Sequence, residues 1–151
     1  MAWDRVQQYR LAMEKLVLEQ ELPGFAFHDP TGRTYVNGNW RSNSGNYYGL
    51  HVQLTAGFPD ECPSLYITSP SPLYGYAYRK TIASYETSHA MHTWKSDRPG
   101  WVKVCTYHSS DWSADQTLVK VIRKGMLWIL AYECHLDEGR DISDFLMSVA
   151  T

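Results

Sequence analysis

Apolar and polar residues alternate over residues 48–54, which is the pattern of a half-buried strand. The residues on its apolar side are Tyr48, Leu50, Val52 and Leu54. Three further short apolar runs, at residues 25–27, 33–36 and 65–68, are bounded by turn-forming residues and predict three more strands. Asn37-Gly38-Asn39 is typical of a tight turn. Together these segments predict an antiparallel meander of about four strands.

The first segment of the chain has helical periodicity. Residues 2–20 repeat apolar side chains at helical spacing, and Pro23-Gly24 follows them as a stop signal. The apolar face carries Val6, Tyr9, Met13 and Leu16. The plain interpretation, which does not exclude a partner contact, is that this helix covers the sheet with that face.

A longer amphipathic helix is predicted after Ser113. Ser113 and Gln116 have the spacing of a capping box, and Gly139 is a typical residue for the C-terminal end. The predicted apolar face consists of Leu118, Val121, Ile122, Met126, Ile129 and Leu130, with Lys120, Arg123 and Lys124 on the opposite side. A last short helix is predicted over residues 142–149.

Residues 69–100 lack a clear period and are rich in Ser, Pro, Gly and Tyr. We interpret them as an ordered aromatic loop with a helical turn near residues 81–87. A structureless loop of this length is unusual in a compact domain, which favours a functional role or hidden structure. The elements together predict one α+β domain spanning residues 1–151.

Composition and charge argue against several classes of function. The net charge of −2 argues against non-specific binding of nucleic acid or of anionic membranes, because both need a basic surface. No run approaches the roughly 18 apolar residues of a membrane span. The polar N-terminal sequence does not resemble a signal peptide, and three cysteines cannot all pair within one chain. We therefore expect free thiols and a cytoplasmic protein without nucleic-acid or membrane partners.

Cys105 is the leading candidate for chemistry. It ends the short apolar strand over residues 100–104 and precedes a loop, Trp112 and the long helix. A thiol on a loop between a strand and a helix is expected to be exposed and well supported, as a nucleophile requires. The alternative is a buried structural cysteine, which is the common environment of this residue type.

Three local patterns resemble the ubiquitin-conjugating (E2) enzymes over roughly residues 2–138. The alternating strand is followed by Phe58-Pro59 and Cys62-Pro63 and then by the strand at residues 65–68, as in the family's meander. Residues 100–105 resemble the strand that enters the family's active cysteine. Trp112-Ser113 with Thr117-Leu118 resembles the segment W-S-P-A-x-T-[LI] that follows it.

This resemblance implies a fold with an N-terminal helix, a four-stranded antiparallel meander and C-terminal helices. It implies that Cys105 accepts a ubiquitin-like modifier from an E1-like activating enzyme as a thioester and transfers it to an amine on a target protein. The similarity extends to compact E2-like proteins of bacterial conjugation operons, which often act in antiphage defence. The N-terminal helix, with Arg5 and Arg10, is where the resemblance places the E1 contact.

The chain departs from the family where an oxyanion must be stabilised. The family usually has His-Pro-Asn shortly before its cysteine, whereas the last asparagine here is Asn46. Candidate donors are His92, Thr93, His108 or a backbone amide. His108 is alternatively a general base, three residues after Cys105. For each histidine the plain alternative is a solvated loop residue.

A carboxylate near the thiol would orient the attacking lysine and accept its proton. The resemblance places such an acid shortly after the long helix, where Asp137 stands. Asp111, beside Trp112, is a second candidate. The alternative for Asp137 is an ordinary charged helix end.

Other functions remain as alternatives. A non-catalytic E2-variant or RWD-like module would bind a partner without chemistry, and the missing asparagine favours it. A thiol hydrolase would pair Cys105 with His108 or His135. The motifs Cys105-x-x-His108 and His89-x-x-His92 suggest zinc, but no paired Cys-x2-Cys accompanies them. We expect neither a metal nor a cofactor.

Overall fold

A computed structural model describes residues 3–108 and 110–146 of the chain. The helices and strands in chain order are α1 (Arg5–Glu21), β1 (Phe25–His28), β2 (Tyr35–Arg41), β3 (Tyr47–Gln53), β4 (Ser64–Ser69), β5 (Thr93–Trp94), β6 (Val102–Val104), α2 (Leu118–Glu138) and α3 (Ile142–Leu146). Two short 3-10 helices, η1 (Tyr76–Tyr78) and η2 (Ile82–Tyr85), precede β5. The predicted α+β class is confirmed. Within the described ranges, no helix is long and apolar enough to cross a bilayer.

The sheet has six strands in the order β1-β2-β3-β4-β6-β5, and each neighbouring pair is antiparallel. The prediction of about four strands was wrong because β5 and β6 extend the meander beyond β4. The predicted turn at Asn37-Gly38-Asn39 was also wrong, since these residues lie inside β2 and pair with β3. Gly38 is needed there for packing, because a Cβ would lie 2.7 Å from the ring of Phe25.

One face of the sheet forms the core with α2. Strand alternation places Val36, Leu50, Val52, Leu65, Ile67, Val102 and Val104 on this face, and all are buried. Gly125 allows α2 to approach closely, because a Cβ at this position would lie 2.3 Å from Leu65 Cδ2. The side chains that alternate with these along the strands point to the other side of the sheet. They form a second face, which the helices leave open.

Helix α1 does not use its apolar stripe for packing. The four side chains expected to cover the sheet are exposed by 58–75%: Val6, Tyr9, Met13 and Leu16. The helix instead buries Glu14 and Leu18, and Arg10 pairs with Glu14 at 2.8 Å. The expectation that this stripe is buried was wrong, because Leu11, Val17 and Leu18 on another side of the helix pack against the core and a polar network accompanies them.

Helix α2 begins later than the capping box indicated. Thr117 is its N-cap and accepts a hydrogen bond from the Lys120 amide at 3.2 Å, while residues 113–116 belong to the preceding loop. Gly139 ends the helix in a left-handed conformation, as predicted. The predicted last helix is confirmed over Ile142–Leu146, and residues 147–149 lie outside the described part.

Side chains of α2 hold the long segment between β4 and β5. Trp128 Nε1 donates to the Met91 carbonyl at 3.0 Å, and the Tyr132 hydroxyl donates to the Tyr74 carbonyl. His135 Nε2 accepts from the Tyr76 amide at 3.1 Å. The helical turn expected near residues 81–87 is confirmed as η2. This segment is ordered because the helix satisfies its backbone.

Candidate functional site around Cys105

Cys105 directly follows β6, and its amide donates to the His92 carbonyl at 3.1 Å. The residue is only 7% exposed, so the expectation of an openly exposed thiol was wrong. Its neighbours explain the burial. The backbone of His92 lies against it from the β5 side.

The thiol is one of the buried apolar side chains of the core, but a charged group acts on it. Burial raises the pKa of its thiol, while the positive charge of Lys124 and the hydrogen bond with Trp94 act in the opposite direction. The thiol is therefore shielded, mostly protonated at neutral pH, and close to a cation.

Lys124 is the cation of this site. It is half-buried on α2, with its Nζ 3.4 Å from the Thr106 carbonyl oxygen and 3.9 Å from the centre of the Tyr107 ring. Burial lowers the pKa of the ammonium group, and nearby Lys120 adds to this; Asp111, Cys105 and Cys62 oppose it. A partly dehydrated ammonium of this kind stabilises a neighbouring thiolate or oxyanion.

The sequence interpretation had placed Lys124 on the polar side of the helix, away from the sheet, and this was wrong. A signal for the correct position exists in the helical spacing. Lys124 follows buried Val121 by three residues and precedes buried Trp128 by four, and both separations lie on one helix face.

Cys62 provides a second thiol and also packs against the core. It lies in the turn before β4 and is half-buried, and its Sγ donates to the Pro63 carbonyl at 3.4 Å. Burial raises its pKa, a hydrogen bond with Thr106 lowers it, and Cys105 raises it further. Cys62, Cys105 and Cys134 all carry free thiols.

His92 and His108 are both brought to the neighbourhood of Lys124. His92 is half-buried in a left-handed conformation, with φ of 58°. Burial lowers the pKa of its imidazole, and the charges of His108, His89 and Lys124 lower it further. His92 is thus neutral near pH 7 and suited to donate or accept a hydrogen bond. His108 is exposed on the loop after Cys105.

Of the remaining residues predicted to take part in the chemistry, some lie near Lys124 and others lie far from it. Asp111 is exposed near Lys124 and accounts for part of the electrostatics there. Thr93 is buried, and its hydroxyl donates to the Glu86 carbonyl at 2.8 Å, so it is already engaged. Asp137 lies 13 residues beyond Lys124, which is about 20 Å along a helix. His135 is engaged with Tyr76 near that same end.

The loop from Cys105 to α2 is anchored at several points. Trp112 Nε1 donates to the Pro59 carbonyl at 2.9 Å, and its ring meets Tyr107 edge-on at 5.2 Å between centroids. The guanidinium of Arg10 donates to the carbonyls of Ala114 and Gln116. The tryptophan that carried the family resemblance therefore fixes this loop against the turn before β4.

No group of three or more His, Cys, Asp or Glu side chains within residues 3–108 and 110–146 is arranged to hold a metal ion. Comparisons with known proteins find no matching family model, no matching curated protein and no matching solved structure. The function must therefore be argued from the geometry of the site and from the resemblance in the sequence.

The role of Lys124 can be measured through the reactivity of Cys105. In a Cys62→Ala/Cys134→Ala background, Lys124→Met should slow alkylation by iodoacetamide at pH 8 by about tenfold, because losing the cation raises the pKa of the thiol by about one unit. Mass spectrometry of the alkylated peptide over a pH series gives the rate and the midpoint. Lys124→Arg keeps the charge and should retain the alkylation rate. Equal alkylation rates for Lys124→Met and its parent protein would contradict the role assigned to Lys124.

Proposed function

We propose that this protein carries an acyl group, the C-terminus of a ubiquitin-like modifier, as a thioester on Cys105. One observation carries the proposal: the Cys105 thiol directly follows β6, and the half-buried ammonium of Lys124 acts on it electrostatically. The resemblance of residues 100–118 to the corresponding part of ubiquitin-conjugating enzymes supports the choice of substrate class.

The chemistry consists of two acyl transfers. The Cys105 thiolate attacks the thioester carbonyl of a charged E1-like enzyme, the enzyme's thiolate leaves, and a new thioester of nearly equal energy results. A target amine then attacks this thioester, loses a proton and displaces the Cys105 thiolate. Each step passes through an oxyanion, for which we assign Lys124 and the neutral His92 ring as the donors that replace an asparagine.

The exposed stripe of α1 supports a partner on that helix. Val6, Tyr9, Met13 and Leu16 remain in solvent on a helix whose opposite side is attached to the domain. Such exposed apolar side chains are typical of protein-binding surfaces. We assign this stripe to the E1-like enzyme, with Arg5 at its exposed end. Arg10 is committed to Glu14 and to loop carbonyls.

A second candidate function is a non-catalytic protein-binding module of the E2-variant type. Two observations favour it: Cys105 is 7% exposed, and burial raises the pKa of its thiol. A module of this kind would use α1 and need no thiolate. The two functions differ in whether a covalent adduct forms.

The deciding experiment combines the protein with ATP, an E1-like activating enzyme and its ubiquitin-like modifier. The carrier should form an adduct of protein plus modifier that a thiol reductant removes. Cys105→Ala should abolish the adduct, whereas Cys134→Ala should leave it intact. A peptide thioester of mercaptoethanesulfonate, added without enzyme or ATP, should acylate the same cysteine slowly.

Absence of any adduct in both arms, with the purified protein folded by circular dichroism, would leave the binding module as the better function. An adduct that persists in Cys105→Ala would place the acyl group elsewhere. Cys62→Ala separates the two neighbouring thiols, and the carrier proposal expects this variant to retain the adduct.

A further inference from the structure

The open face of the sheet contains a cavity of about 560 Å³ that lies away from Cys105. Its floor is formed by side chains of β2, β3 and β4 that point away from the core, and loop residues close one side. The polar members are Asn37, Asn39, His51, Gln53 and Thr68, and the loops contribute Asp29, Arg33, Arg98 and Trp101. The function proposed for Cys105 leaves this cavity unused.

A row of rings crosses the same face and makes it rigid. The ring centroids of His28 and Tyr35 lie 5.0 Å apart, and those of Tyr35 and His51 lie 4.5 Å apart, with nearly parallel planes. Trp101 lies 5.0 Å from His51 and 5.7 Å from Tyr66. Packed aromatic rings on a sheet give a preformed shelf, which lowers the entropy lost when a ligand binds.

Arg98 extends this row and is held without an ion pair. Its Nη2 donates to Gln53 Oε1 at 2.8 Å, and its Nη1 lies 3.3 Å from His51 Nε2. The guanidinium carbon lies 5.2 Å from the Tyr66 centroid and 5.1 Å from the Trp101 centroid. In the described part of the chain, neither Arg98 nor Arg33 forms a salt bridge.

Two arginines line the cavity, and one carboxylate lies within the lining and another outside it. Arg33 and Arg98 line it together with one carboxylate, Asp29, which accepts the Arg33 amide at 3.0 Å. Asp97 acts electrostatically on Arg98 from outside the lining, and its carboxylate accepts the Tyr66 hydroxyl at 2.6 Å. Two guanidinium groups against one lining carboxylate fit an anionic ligand.

We propose that this cavity binds a small organic phosphate monoester, with the phosphate on Arg98 and Arg33 and the organic part over the rings. Arginine suits phosphate because its planar fork donates two hydrogen bonds to neighbouring oxygens. A doubly charged phosphate also needs more than one cation, and the cavity offers two. The volume exceeds the needs of a bare oxyanion, and the amide side chains of Asn37 and Asn39 can bind hydroxyl groups.

Isothermal titration calorimetry with the full chain tests the proposal. The probes are AMP and ribose 5-phosphate, which separate a nucleotide from a sugar phosphate, with adenosine and inorganic phosphate as partial ligands. At least one ester should bind saturably at millimolar concentration or below. Arg98→Gln should weaken that binding by about tenfold or more, and Arg33→Gln by several-fold, because each removes a charge-assisted contact.

Arg5→Gln, an exposed arginine on α1, is the matched control and should leave the affinity unchanged. Arg33 is also exposed, so its variant is informative even if Arg98→Gln disturbs packing. The proposal is overturned if neither ester binds, if both Arg98→Gln and Arg33→Gln bind like the unmodified chain, or if adenosine binds as well as AMP. Equal affinity for inorganic phosphate would overturn the role of the rings. None of these outcomes affects the thioester assay.

Discussion

Glu14→Ala is expected to lower the free energy of unfolding by about 3–5 kcal/mol, the usual result of removing one partner of a buried ion pair. The Glu14 carboxylate is buried and binds the Arg10 guanidinium at 2.8 Å. Its other oxygen accepts the Leu118 amide at 2.8 Å, at the first turn of α2. The substitution therefore leaves the half-buried Arg10 without its counter-ion and the buried Leu118 amide without an acceptor. Urea denaturation followed by circular dichroism measures the loss.

A second variant separates the loss of the charge from the loss of the hydrogen bond, and a third serves as a control. Glu14→Gln keeps an oxygen for the Leu118 amide and should lose less stability than Glu14→Ala. Glu19→Ala, an exposed position on the same helix, should stay within about 0.5 kcal/mol of the unmodified protein. If Glu14→Ala also fell within this range, the network could not be what attaches α1 to the loop before α2.

The sequence assigned the buried face of α1 to the wrong side because this helix carries apolar side chains on two sides. Hydrophobic periodicity locates a helix because its spacing is geometric, and α1 was correctly located. Periodicity does not decide which of two apolar sides is buried. Here Leu11, Val17 and Leu18 pack against the core beside the buried Glu14 carboxylate, and the other apolar stripe is left in solvent. A glutamate inside a helix gives no sequence signal that it will cap another helix 104 residues later.

The meander was predictable because short alternating strands pair with their sequence neighbours. Strands β1 to β4 follow this rule, whereas β6 pairs with β4 across a segment of more than thirty residues. The sequence indicated β6 but could not fix its partner. The two-residue β5 has too few positions for a period and depends on its register with Lys103 and Val104. Long-range pairing of this kind is determined by tertiary contacts.

The sequence singled out Cys105 as the candidate nucleophile but did not identify the residues that surround it. Cys105 was identified by its position between a strand and a capped helix. The burial of its thiol depends on the backbone of His92, which only the β5–β6 pairing brings near. Cys62 and Lys124 join the site through the turn before β4 and the rotation of α2 about its axis. How helices and strands are placed relative to one another decides these contacts, and no local sequence pattern encodes that placement.

An indole of α2 is one anchor of the segment that carries His92, and Trp128→Ala is expected to cost about 3–5 kcal/mol of stability because it also removes a large buried ring. Trp128 is 1% exposed, and its ring stacks on Tyr132 with 5.6 Å between centroids. Its Nε1 also donates to the Met91 carbonyl, the neighbour of His92. Urea denaturation measures the loss, and amide hydrogen exchange over residues 88–94 measures local opening.

Trp128→Phe retains an aromatic ring but leaves the Met91 carbonyl without its donor, which should cost about 1–3 kcal/mol. This variant should speed exchange of the Cys105 amide, which donates to the His92 carbonyl, more than exchange within β2. Tyr9→Ala removes an exposed aromatic ring from α1 and serves as the matched control with little effect. If exchange in Trp128→Phe increased uniformly across the sheet, the indole would stabilise the whole fold without specifically positioning the strand beside Cys105.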